Sequence, residues 1–172
     1  NWVFRLNRIL DPDIRILKVS VAADDFHARF SAVEREYQYR LADNNQIVLP
    51  LERYNTATWF RALDIDRLNE ASSLLLGEHD FVAFCKFRED QKTVRTQKKF
   101  HWSRLDSGIL IADVAANAFC YSMVRNLVGA AVAVGEGRFE KEWAQAILDN
   151  KERVSDSYVF PANGLTLVKV TY

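Results

Sequence analysis

Three stretches of this sequence carry residue types that could do chemistry together. The run Phe26-His27-Ala28-Arg29-Phe30-Ser31-Ala32 sets a histidine and an arginine among aromatics, a combination able to meet a phosphate while a ring stacks on a base. The same residues would also suit an ordinary connector with two half-buried phenylalanines. Tyr37 and Tyr39 follow on one face of a period-two segment. Each offers a base-sized plane and a hydroxyl, and each would equally serve core packing. Arg125 interrupts the apolar run Met123-Val124 and Leu127-Val128, and a guanidinium partly buried there needs an anion or several acceptors. Asp113, Asp156 or another carboxylate could pair with it for structure alone, or it could orient a catalytic carboxylate.

Composition bounds what these residues can be doing. With 172 residues and 49% hydrophobic content the chain can bury a real core. Lys plus Arg and Asp plus Glu both number 23, so net charge argues neither for nor against a nucleic-acid partner, and any such site must be local. Local basic candidates are Arg29, Arg35 and Arg40, and then Lys92, Arg95, Lys98, Lys99 and Arg104; solvated surface is the other reading of such charges. His27, His79 and His101 show no zinc spacing, no Gly-x-Ser-x-Gly elbow is present, and the glycines at 129, 135 and 137 lack the dinucleotide fingerprint. Cys85 and Cys120 are read as neither a disulfide scaffold nor a metal cluster, which suits a reducing, cytoplasmic home. No apolar stretch reaches the roughly 20 residues that span a bilayer, and no signal peptide precedes the first strand.

The elements that must position these residues follow from periodicity. A helical face over residues 2–10 ends at Asp11-Pro12-Asp13, and a strand is expected over 14–21 with Leu17, Val19 and Val21 on its apolar face. Residues 35–41 form a strand carrying Arg35, Tyr37, Tyr39 and Leu41 on one side. An amphipathic helix covers 64–76 and stops at Gly77. Residues 86–93 read as an exposed loop, 96–103 as a strand, Ser107-Gly108 as a turn, and 109–115 as another strand. An apolar helix runs from about Phe119 to Val134, a further helix over 140–149 buries Trp143 and Ile147, and 164–172 is a closing strand. The fold class expected is α+β, an antiparallel sheet with helices packed on one face.

Several of these segments, in order, resemble the TruA family of tRNA pseudouridine synthases. Asp25-Phe26-His27-Ala28-Arg29-Phe30-Ser31-Ala32 with Arg35-x-Tyr37-x-Tyr39 is similar to one family pattern, and Leu74-Leu75-Leu76-Gly77-Glu78-His79-Asp80-Phe81 to a second. Ala116-Asn117-Ala118-Phe119, Met123-Val124-Arg125-Asn126 and Val128-Gly129 resemble the helix that carries the family's active-site arginine; Arg95-Thr96 and Gly164-Leu165 extend the likeness.

The resemblance implies that Tyr37 packs against the target base, Arg125 pairs with the nucleophilic aspartate, and Leu165 lines the uracil pocket. His27, Arg29 and Arg95 would lie near the RNA. It implies isomerisation of uridine to pseudouridine in the anticodon arm of tRNA, near positions 38 to 40, with no metal or organic cofactor, in a homodimer. The family's Gly-Arg-Thr-Asp-x-Gly-Val-His motif occurs nowhere in these residues. The expectation is therefore a C-terminal portion, inactive alone: residues 1–24 as the tail of an N-terminal domain, and 25–172 as the RNA-binding domain that completes the active site. A non-catalytic RNA-binding domain is the alternative.

Overall fold

The computed structural model describes residues 1–152 and 158–172, which gather into two units, Asn1–Ser31 and Ala32–Tyr172. In the first unit, Asn1 caps α1 (Trp2–Ile9) by accepting from the Phe4 N–H. The expected strand over 14–21 does not form: the segment has no ladder partner among the described residues. The Asn7 amide instead takes both main-chain groups of Ile16, donating to its carbonyl and accepting from its N–H, each at 2.8 Å. Leu17 and Val21 stay exposed, at 91% and 101%, because one side-chain amide satisfies a single residue where a neighbouring strand would cover a face.

The second unit is a six-stranded sheet. β1 (Glu34–Ala42) is followed by the two-residue β2 (Ala57–Thr58), α2 (Ile65–Ser73), β3 (Gly77–Asp80), β4 (Val94–Arg104) and β5 (Leu110–Ala116). Then come α3 (Met123–Gly135), α4 (Glu142–Asn150) and β6 (Leu165–Thr171). The order is β2-β1-β5-β4-β3, with β6 lying beside β2 on the outer side of β1. The sheet is mixed where sequence suggested wholly antiparallel pairing, because β2 runs parallel to the end of β1 through Leu41–Ala57 and Ala42–Thr58. β2 and β3 are too short for a period-two signal.

One face of the sheet builds the core. Tyr39 and Leu41 of β1, Leu110, Ala112 and Val114 of β5, and Phe100 and Trp102 of β4 are buried there against α2 and α3. On the opposite face Glu36, Gln38, Lys99 and Asp113 stay at least partly in water. Asp64 caps α2 by accepting from the Asp66 and Arg67 N–H groups, and the helix closes on β4 through Asn69, which bonds both main-chain groups of Trp102. Gly135 lets α3 approach α2: a Cβ there would stand 2.7 Å from a Leu68 methyl.

Two helical expectations shift. α3 begins at Met123, four residues after Phe119, because Ser122 takes a left-handed backbone at φ 66° and breaks the turn. Trp143 of α4 is half-buried and stacks on Phe139 at 4.1 Å, while Ala144, Ile147 and Leu148 are the residues α4 buries.

The cysteine reading is also corrected, since Cys85 and Cys120 are joined as a disulfide with Cα atoms 5.6 Å apart. Cys85 ends a 3-10 turn over Val82–Phe84, and Cys120 lies just before α3. The Lys86 N–H donates to the Tyr121 carbonyl and the Asn126 amide to the Phe84 carbonyl, and these bonds hold the two segments together. Thirty-five residues of sequence separation hid the pairing. No helix among the described residues is long and apolar enough to cross a membrane.

Candidate active site

The sheet brings the separate motifs together at one end of its buried face. Tyr37 and Tyr39 project to that face from β1, and β6 pairs alongside with Leu165 opposite Tyr39 and Leu167 opposite Tyr37. Leu165 is thus the diagonal neighbour of Tyr37, within reach of an aromatic ring. A short 3-10 turn, Ala162–Gly164, delivers it. Gly164 is needed there, because a Cβ would stand 2.7 Å from both the Arg40 carbonyl oxygen and Cζ of Tyr39.

The two tyrosines have different jobs. Tyr39 is fully buried, its hydroxyl donates to the Pro161 carbonyl at 2.7 Å, and its ring meets Phe160 edge-on at 6.1 Å. Burial pushes that hydroxyl far above the ordinary phenol range, with the nearby Arg125 guanidinium acting against the rise. Tyr37 is half-buried and meets Phe119 edge-on at 5.2 Å. Burial raises its hydroxyl as well, opposed by Arg35. Tyr39 is a core residue that braces the site, and Tyr37 is the ring left with an open side.

Arg125 rises from the first turns of α3 to the same place. Its Nε donates to the Phe160 carbonyl, and the Phe160 N–H returns a bond to the Arg125 carbonyl at 3.3 Å. Among the described residues no carboxylate lies within ion-pair range of Arg125. Asp113 is engaged elsewhere, with the Lys99 ammonium at 2.9 Å and the Gln38 amide at 3.0 Å. Asp156, the other candidate partner, lies outside the described residues. The half-buried guanidinium is therefore oriented by a neutral carbonyl and keeps donors for an anion.

Phe160, Pro161 and Gly164 were missed as site residues. The signal for them was a Phe-Pro step and a glycine immediately before the matched Leu165.

Of the expected RNA contacts, Arg95 lies on β4 at this same end, where its position faces His79 of β3. His27 and Arg29 belong to the first unit, where they build a local turn. His27 Nδ1 accepts from the Arg29 and Phe30 N–H groups at 3.1 and 3.3 Å, Ser31 Oγ accepts from the His27 N–H at 2.9 Å, and the Arg29 guanidinium stands over the Phe30 ring at 5.5 Å.

The other basic candidates are largely neutralised by carboxylates. Arg40 pairs with Glu52 at 2.9 Å, Lys98 with Glu34 at 2.5 Å, and Arg104 with the buried Asp43 at 2.7 Å. Burial alone would raise Asp43, but two bonds from Arg104 and the Leu63 N–H hold its carboxyl below the usual range. No group of three His, Cys, Asp or Glu that could hold a metal gathers among the described residues.

A family model described as tRNA pseudouridine synthase matches residues 71–172. A tRNA pseudouridine synthase A of Frankia casuarinae is 48% identical over 168 residues, covering 98% of this chain and 61% of that protein. Those of Leifsonia xyli and Corynebacterium glutamicum are 44% and 45% identical, over 98% and 99% of this chain and 59% and 60% of theirs. The chain thus spans about three-fifths of the length of the curated relatives it matches. Family match and extensive identity together show that the chain belongs to the tRNA pseudouridine synthase family.

Proposed function

We propose that this chain supplies the base-binding side of an active site that isomerises uridine to pseudouridine in the anticodon arm of tRNA. The observation that carries the reading is the convergence of Tyr37, Leu165 and Arg125 on one end of the sheet, with no carboxylate beside Arg125 among the described residues. Tyr37 stacks on the extruded base, Leu165 closes the apolar pocket, and Arg125 pairs with a nucleophilic aspartate from outside these 172 residues. The guanidinium would keep that carboxylate ionised and aimed. The reaction breaks the bond between C1′ and N1, turns the uracil, and joins C1′ to C5; N1 ends protonated and C5 gives up its proton, so atoms balance without a cofactor. Taking the base out of its stack costs a few kcal/mol, which an aromatic wall and an apolar pocket offset.

His27, Arg29 and Arg95 are assigned to RNA phosphates or bases, residues 1–24 to the end of a preceding domain and 25–172 to this one, and the working form is a cytoplasmic homodimer. In a reducing cytoplasm the Cys85–Cys120 bond depends on its shielding, and both residues are under 10% exposed.

The test is pseudouridine formation on unmodified tRNA, read by nuclease digestion and nucleoside chromatography. The full-length protein carrying this chain should turn over and the 172-residue chain should not. Turnover by the chain alone would remove the external aspartate from the scheme. A full-length protein that binds tRNA without forming pseudouridine would leave a binding module instead.

A further inference from the structure

A β-bulge in β4 sets Arg95 on the face that carries Tyr37 and Arg35. Across the three central strands, Arg35 of β1 pairs with Ala116 of β5, which pairs with Gln97 of β4. Gln97 is followed by a register shift before Lys99, after which Phe100 pairs with Val114 and Trp102 with Ala112. The extra residue changes the parity of β4, so odd-numbered Arg95 and Gln97 share the buried face with even-numbered Phe100 and Trp102. Arg35 lies two positions before Tyr37 on the same face. The two guanidiniums therefore come together where β5 leaves the sheet for Phe119.

Arg95 is held differently from Arg40, Lys98, Lys99 and Arg104, which pair with carboxylates. Arg35 donates to the Ala32 and Asn117 carbonyls, both at 2.8 Å. Asn117 is itself fixed, since its side chain accepts from the Thr96 and Ala118 N–H groups at 3.0 and 2.8 Å. Arg95 folds back on its own strand, donating to the Val94 and Lys92 carbonyls at 2.9 and 2.5 Å, and its Nε is buried with no hydrogen-bond partner. No carboxylate pairs with Arg95 among the described residues, and burial together with the Arg35 charge lowers its basicity. A second cation nearby and a donor without an acceptor are both relieved by one anion.

We propose that Arg35 and Arg95 form a phosphate clamp that grips one phosphodiester of the RNA beside the nucleotide stacked on Tyr37. This rests on the RNA-substrate reading above and adds Arg35 as a binding residue. The local carbonyls that now hold Arg95 are neutral acceptors, so exchanging them for a phosphate oxygen strengthens each bond.

The experiment uses the full-length protein and an anticodon stem-loop RNA in which single phosphodiesters around the target uridine are replaced by neutral methylphosphonates. Binding is followed by fluorescence anisotropy, with pseudouridine formation by the wild type measured on the same RNAs. One neutral linkage should weaken wild-type binding about tenfold. Arg35→Gln and Arg95→Gln should each bind the all-phosphate RNA about tenfold more weakly and be nearly indifferent to that linkage. If the wild type tolerates a neutral linkage at every position, the clamp is wrong, whether or not either variant folds. A linkage that penalises both variants as heavily as the wild type also overturns it, since the arginines then act only on the Asn117 turn and their own strand. Failure of the wild type to form pseudouridine would sink the enzymatic reading while leaving the binding comparison to judge the clamp.

Discussion

Arg125→Met separates a structural from a functional arginine, and the structure sets the size of the effect. The change removes the bond from Nε to the Phe160 carbonyl and leaves the volume of the side-chain stem filled. A hydrogen bond from a charged donor contributes roughly 1.5 to 3 kcal/mol, and the site is half-open to water, so a loss of about 2 kcal/mol is expected. For a chain of this length that lowers the melting temperature by about 4 to 8 °C. Had Arg125 been one half of a buried ion pair, its removal would cost roughly 3 to 5 kcal/mol, because the stranded carboxylate could not be solvated. Urea unfolding of the 172-residue chain distinguishes these values. The same substitution in the full-length protein should remove most single-turnover pseudouridine formation, because the nucleophile loses orientation and charge stabilisation together. A stability loss above about 4 kcal/mol with near-normal turnover would refute the reasoning.

Gly164→Ala should destabilise the chain by about 1 to 3 kcal/mol, since its Cβ meets the Arg40 carbonyl and the Tyr39 ring at 2.7 Å; a change under about 0.5 kcal/mol in urea unfolding would show that the turn relaxes freely. Reducing the Cys85–Cys120 bond, which spans 35 residues, should cost up to about 4 kcal/mol by loop entropy, and an unfolding midpoint indifferent to reductant would contradict it. The Asp43 carboxyl is depressed in the folded state, so its contribution is present above the unfolded value of about 3.9 and lost as pH falls through the lower folded value. Asp43→Asn should therefore weaken the protein at neutral pH, by an amount that shrinks on acidification below about pH 4; a pH-independent difference in unfolding free energy would exclude the linkage.

Much of the framework was legible from local pattern. The two-tyrosine strand, the amphipathic helix after Asp64, the Arg125 helix and the closing strand each repeat at the period of the element they form. The motif residues Tyr37, Arg125 and Leu165 could be named because residue type and order survive in one dimension. Their meeting could not be read there, since it depends on β6 pairing with β1 across more than a hundred residues and on Phe160 bridging to Arg125. The strand expected over 14–21 failed for the same reason: alternation shows which face wants cover and says nothing of whether a neighbour exists to provide it. Cys85 and Cys120 carry no local sign of each other, and the face of Arg95 was set by one extra residue at Lys98. Sequence determined most of the longer elements because backbone propensity and side-chain period act over a few residues. Tertiary structure alone decided the disulfide, the mixed sheet and the partners of each charge, because pairing, register and bulges depend on contacts between distant segments.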